Sequence, residues 1–128
     1  MRRLLLDTHT FLWWLIDDRR LGSAARALIA EANNQVFVSA ATAWEISIKK
    51  SLGKLEAPDD LDSVVEEEGF DRLAISFFHG ERAGVLPQLH RDPFDRMLVA
   101  QSQAEGLEII TADESIRKYG VKTLDATK

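Results

Sequence analysis

Leu4-Leu5-Leu6-Asp7 is the stretch from which the fold can be read. Three consecutive apolar residues, stopped by a carboxylate, read as a short strand buried on both faces. Working outward, Phe11 to Ile16 reads as a short helix and Asp17-Asp18-Arg19-Arg20-Leu21-Gly22 as a charged break. Ser23 to Ala32 is an alanine-rich helix with Ser23 placed to cap it. Val36-Phe37-Val38 is a second strand, β-branched and aromatic, and Ser39 caps a helix from about Ala41 to Ser51, ended by Gly53. Further on come a helix near Leu61 to Glu68, a strand at Leu73-Ala74-Ile75, and a helix from Phe77 to Leu86 weakened by Gly80 and Gly84. Pro93 opens a helix that runs to Glu105 and stops at Gly106. Leu107 to Thr111, Asp113 to Tyr119 and Val121 to Leu124 read as strand, helix, strand. Strands alternate with helices from end to end, which predicts a parallel sheet of about five strands between two layers of helices.

The length of 128 residues fits a single domain, 1–128, able to bury a core without staples. There are no cysteines, which excludes a disulfide scaffold, a thiolate zinc site and a cysteine nucleophile. The apolar run Phe11 to Ile16 is far short of the ~20 residues of a membrane span, and the three leucines after Arg2-Arg3 are too few for a signal-peptide core. The expectation is therefore a cytoplasmic protein with no membrane partner. The net charge is −5, but residues 56–71 hold eight acids and no base. The remaining sixteen bases outnumber thirteen acids, so the rest of the surface can meet a polyanion. No glycine-rich loop follows a strand, which argues against a dinucleotide-binding fold or a P-loop NTPase.

In a parallel α/β sheet the site forms beyond the carboxyl ends of the strands, where the strand order reverses. Four acids stand there. Asp7 ends the first strand, Glu45 lies early in the helix after the second, Asp95 is in the first turn of the helix opened by Pro93, and Asp113 follows Thr111. Each alone has a structural use. Asp7 and Asp113 can cap helices, Glu45 can pair with Lys49 at i,i+4, and an acid at Asp95 suits a helix N-terminus. Together they repel, and a divalent cation relieves that cost. Oxygen donors without cysteine or clustered histidine suit Mg²⁺ or Mn²⁺. Such an ion can activate water for phosphodiester hydrolysis.

Leu5-Leu6-Asp7-Thr8-His9, Trp44-Glu45-Ile46, the block Asp92-Pro93-Phe94-Asp95-Arg96-Met97-Leu98-Val99-Ala100-Gln101 and Thr111-Ala112-Asp113 resemble the successive motifs of PIN-domain proteins. More narrowly they resemble the VapC-type toxins of bacterial toxin–antitoxin pairs. The resemblance implies an α/β/α sandwich and a Mg²⁺- or Mn²⁺-dependent endoribonuclease, leaving a 5′-phosphate and a 3′-hydroxyl. It also implies inhibition by a cognate VapB-like antitoxin. It carries the catalytic acids onto Asp7, Glu45, Asp95 and Asp113, with Asp7 and Asp95 as the main metal ligands and no organic cofactor.

Other residues carry weaker signals. Asp92 reads as the cap before Pro93. His9 and His90 lie near the motifs and could touch substrate or orient a loop, His79 reads as helix surface, and none is needed as a base. Lys49, Lys50, Lys54, Arg91 and Arg96 are candidate phosphate contacts. Phe11 to Ile16 is apolar around its whole circumference, so part of it is expected in the core and part on a homodimer or antitoxin surface. Trp44 is expected in the core.

Two rival functions stay open on the sequence. A receiver or aspartyl-phosphate phosphatase also places Asp at strand ends, but position 9 is His where the phosphatase has a second Asp, and no Lys follows the late strand. A non-catalytic PIN-like RNA-binding module is the other.

Overall fold

Alternate side chains of each central strand point to opposite faces, and the core divides accordingly. The computed structural model describes residues 1–128. It contains strands β1 (Arg3–Leu6), β2 (Gln35–Ser39), β3 (Asp71–Leu73), β4 (Glu108–Thr111) and β5 (Thr123–Asp125). The helices are α1 (Thr8–Leu15), α2 (Ser23–Ala30), α3 (Ala40–Ser51), α4 (Leu61–Glu67), α5 (Phe77–Val85), α6 (Pro93–Glu105) and α7 (Glu114–Arg117). All strands pair in parallel in the order β3-β2-β1-β4-β5. Leu4, Leu6, Val36, Val38 and Ile110 pack on one face with Phe11, Ile29, Ile46 and Val65 from α1 to α4. Leu5, Phe37 and Ile109 pack on the other with Leu98, Val99 and Ile116 from α6 and α7. This is the expected three-layer α/β/α sandwich.

The chain moves outward from β1 to β2 and β3, then returns to β4 on the other side of β1. The order therefore reverses between β1 and β4, and the crevice lies beyond Leu6 and Thr111. α6 runs from Pro93 to Glu105 as its sequence predicts, and Gly106 ends it in the left-handed conformation at φ 68°.

Several local expectations are corrected. The third strand is Asp71–Leu73 rather than Leu73–Ile75, because its pairing with Phe37 to Ser39 runs out at Leu73 and Ser76 already caps α5. α2 is preceded by Gly22 as N-cap, and Ser23 is not the cap. The N–H of Ala24 donates instead to the carbonyl of Lys128 at 3.0 Å, and Gly22 donates to Ala126 at 2.9 Å. A Cβ on Gly22 would lie 2.2 Å from the Lys128 backbone, so this close approach requires glycine.

α1 is buried more completely than its sequence implies. Phe11 and Trp13 lie in the core, and Leu12, Trp14 and Leu15 pack against it, with Phe11 and Trp14 both meeting Phe70. Only Ile16 of this stretch is strongly exposed, so most of its apolar surface is spent on the core. Trp44, expected inside, is 62% exposed and meets Phe94 in a T-shaped ring pair with centroids 5.3 Å apart. His79, expected on a surface, is buried: its Nδ1 accepts from the Ser76 N–H in a capping box, and its Nε2 faces Glu105 Oε2 at 2.9 Å.

Arg96 is also buried, and its guanidinium donates to the carbonyls of Ala83, Leu86 and Pro87 and to the Tyr119 hydroxyl. It is thereby removed from the phosphate-contact candidates, and so is Lys50, which is spent on Pro58 and Asp59. Arg96→Ala strands these carbonyls in the interior. We expect it to cost about 3–5 kcal/mol in a denaturant titration, with Arg96→Lys recovering only part because an ammonium lacks the planar fork.

Candidate active site

Asp7 follows β1 directly and serves as N-cap of α1, its Oδ1 accepting from the Thr10 N–H at 2.9 Å. Its Oδ2 accepts from the Thr111 hydroxyl at 2.5 Å, which ties the ends of β1 and β4 together. Burial pushes the Asp7 carboxyl up, against these hydrogen bonds, which pull it down. Asp113 caps α7 through Oδ1, which accepts from Ser115 at 2.8 Å, and leaves Oδ2 turned to the crevice. Asp92 caps α6 by accepting from the Phe94 and Asp95 N–H groups, as its place before Pro93 predicts. Glu45 is buried on α3, and its carboxylate accepts from Thr8 Oγ1 and from Lys49 Nζ, each at 2.6 Å. The i,i+4 pair with Lys49 is thus formed, and it raises the Lys49 ammonium above its ordinary value.

The four acids singled out from the sequence, Asp7, Glu45, Asp95 and Asp113, line one cleft of about 390 Å³ with Asp92, Lys49 and His90. Capping does not consume them. Each capping carboxylate uses one oxygen on the backbone, and the helix ends that need caps are the same ends that meet at the crevice.

Asp95 sits among three other acids, Asp7, Asp92 and Asp113. Burial raises its carboxyl, the charges of Asp92, Asp7 and Asp113 raise it further, and it is pushed up to about 7 despite the opposing effect of His90. An unfolded aspartate titrates at about 3.9, so between there and about 7 the native state holds a proton that the unfolded state releases. Metal-free stability is therefore greatest at low pH with respect to this group and falls as the pH rises through about 7. Asp95→Asn removes the charge and keeps the shape. In chelator at pH 8 we expect it to be more stable than wild type by about 2–4 kcal/mol, with the difference falling to less than half of that at pH 5, as read from denaturant midpoints at both pH values.

Asp95 Oδ2 and Asp113 Oδ2 are bridged by one atom, His90 Nε2, at 2.9 and 3.1 Å. These three residues place their donor atoms within 4.8 Å of one another. Asp7, just past the end of β1, and Glu45, in the middle of α3, face the same cleft and stand outside that closest trio. His90 Nδ1 accepts from the Asp92 N–H at 3.3 Å, which leaves the ring proton on Nε2, pointing at the two carboxylates. The backbone N–H of His90 donates to the Tyr119 hydroxyl, and Arg96 Nη1 lies 3.5 Å from its carbonyl. The sequence singles out His90 only for its position before the Asp92 block. Its link to Asp113 is visible only in three dimensions.

The cluster fits a hard divalent cation on the chemistry of its donors: several carboxylate oxygens crowded into one cleft, where burial and the neighbouring acids Asp92, Asp7 and Asp113 together raise the Asp95 carboxyl. No helix is long and apolar enough to cross a membrane.

Comparison with known proteins agrees with this architecture. Ribonuclease VapC22 of Mycobacterium tuberculosis (strain ATCC 25618 / H37Rv) is 25% identical over 122 residues, which cover 93% of each chain. Ribonuclease VapC16 of the same organism is 43% identical over 58 residues, covering 42% of this chain and 41% of that one. Among solved structures, VapBC-1 from nontypeable Haemophilus influenzae superposes with a TM-score of 0.67 at 18% identity, covering 98% of this chain and 99% of the other. DNA-bound VapBC from Salmonella typhimurium gives a TM-score of 0.66 at 20% identity, with 98% of both chains covered. The family model of the PIN domain matches residues 4–122, nearly the whole chain, and the protein belongs to the PIN-domain family.

Proposed function

We propose that this chain, acting as a single PIN domain over residues 1–128, is a Mg²⁺- or Mn²⁺-dependent endoribonuclease toxin of the VapC type that works in the cytoplasm. The observation that carries the proposal is the convergence of Asp7, Glu45, Asp95 and Asp113 at the point where the strand order reverses between β1 and β4. Asp7 and Asp95 are the main metal ligands, and Glu45 and Asp113 complete the site. When bound, the cation neutralises the carboxylates, polarises the scissile phosphate and lowers the pKa of attacking water. The protein's own residues hold the geometry. Thr10 and Thr111 fix the Asp7 carboxylate, Thr8 and Lys49 fix that of Glu45, and His90 holds Asp95 and Asp113 side by side. Lys49 lines the cleft with its ammonium engaged by Glu45.

The named relatives are ribonucleases, and the solved neighbours include VapBC complexes, which supports RNA as substrate and a VapB-like antitoxin as inhibitor. A homodimer also belongs to this reading. The exposed apolar side chains that suit it lie on Trp44, Phe77, Phe78 and Val85 rather than on α1.

The test is incubation of the purified chain with single-stranded and structured RNAs in Mg²⁺, Mn²⁺ or EDTA, with analysis of the product ends. The reading expects metal-dependent fragments with 5′-phosphate and 3′-hydroxyl termini. RNA binding without cleavage in either metal would favour a non-catalytic module. A stable acyl-phosphate after treatment with acetyl phosphate would favour the receiver or phosphatase chemistry.

A further inference from the structure

The charged break after α1 builds a feature on the cleft wall that the metal site does not use. Asp17 turns the chain in the left-handed conformation at φ 54°, and Arg26 anchors the turn by donating to the Leu21 carbonyl at 3.1 Å and to Asp17 and the Asp18 carbonyl. Within this turn Asp18 grips Arg20. Its Oδ1 accepts from the Arg20 backbone N–H at 2.9 Å and from Nε at 3.0 Å, and its Oδ2 accepts from one Nη at 2.7 Å. The guanidinium carbon stands 5.0 Å from the centroid of the Trp13 ring, which is itself buried. Arg20 and Trp13 line the same cleft as Asp7 and Asp95, and the Arg20 side chain is 66% exposed.

This arginine is poorly placed to act as a phosphate contact. One edge of its fork is already occupied, and a carboxylate beside it offsets its charge and repels a phosphate. One face is covered by Trp13. The rest of the guanidinium, held by Asp18 and set over the Trp13 ring, is open to solvent at the rim of the cleft. Unstacked RNA bases stack on arginine planes as well as on aromatic rings, and a surface already fixed in place loses little entropy in receiving one. Resting on the ribonuclease reading above, we propose that the outer face of the Arg20 guanidinium, backed by Trp13 and locked by Asp18, is a stacking shelf for a nucleobase flanking the scissile phosphate. A stacking shelf selects for unpaired over base-paired RNA at that position.

The test separates stacking from charge. The whole chain is titrated, with Ca²⁺ as the only divalent cation, with a short single-stranded RNA carrying 2-aminopurine and with an abasic backbone of equal length. Wild type, Arg20→Lys and Arg20→Ala are compared across a range of salt. The shelf predicts that both substitutions weaken RNA binding about tenfold. It further predicts an unchanged slope of log affinity against log salt, unchanged binding of the abasic strand, and loss of the 2-aminopurine emission change seen with wild type. Arg20→Lys binding like wild type, with Arg20→Ala reducing the slope by about 0.7, would make Arg20 a phosphate contact and overturn the shelf. Both variants binding like wild type would also overturn it. If wild type cleaves RNA in Mg²⁺ while either result holds, only the shelf fails; if wild type neither binds nor cleaves RNA, the ribonuclease reading fails first.

Discussion

Asp95→Asn is expected to lower the rate of RNA cleavage by about 10³-fold or more while leaving the protein folded. Asp95 stands among the charges of Asp92, Asp7 and Asp113, so its carboxylate is the one most dependent on a cation and the one the cation can least spare. Asparagine keeps an oxygen for His90 and removes the anionic donor. The same change at Asp7 is expected to act in the same direction. In Asp7→Asn the amide oxygen would still accept from the Thr10 N–H. The Thr111 hydroxyl, which already accepts from the Asp113 N–H, could rotate to accept from the amide nitrogen as well. The fold should therefore survive at Asp7→Asn and Mg²⁺-dependent cleavage should not. Full activity in that variant would remove Asp7 from the mechanism. Circular dichroism and a denaturant midpoint alongside the rate keep loss of fold apart from loss of chemistry.

The second large effect is that of removing metal. Chelation with EDTA is expected to abolish cleavage, and Mg²⁺ or Mn²⁺ to restore it. The same ions should stabilise the wild-type fold, because they bind the native cleft and not the unfolded chain. At a hundredfold excess over the dissociation constant that stabilisation is about 2.7 kcal/mol, readable as a rise in the melting temperature. The Asp95→Asn protein should respond far less. The advantage of this one substitution thus depends on metal: without an ion it stabilises, and the ion returns about 2.7 kcal/mol to wild type, which cancels most of that gain. A residue that merely packed or capped would not show this metal dependence.

The fold was legible because its local signals agree with one another. Three leucines stopped by Asp7, the Pro93 and Gly106 that bound α6, and the Ser39 cap of α3 each point to the observed element. The acids were legible for a related reason. Each stands just past a strand or in the early turns of a helix, and a parallel sheet gathers those positions at one edge. What depends on neighbours distant in sequence was not legible. His90 acquires its place through Arg96, Tyr119 and Asp113, none of which its local sequence announces. Gly22 is glycine because residue 128 passes against it. The aromatic stretch of α1 looks like a surface because a short helix apolar on all sides has no evident second partner. Phe70 and the helices α2 and α4 supply one. Trp44 errs the other way, lying beside a buried Glu45 yet on the outward side of α3.

The most direct measurement is anomalous diffraction from crystals of the wild-type chain soaked in Mn²⁺. The account predicts manganese density in the cleft, in contact with the Asp7 and Asp95 carboxylates and close to Asp113 and Glu45, and its loss in crystals of Asp95→Asn. A cleft without manganese at saturating concentration, or manganese bound elsewhere with Asp7 and Asp95 unliganded, would contradict it.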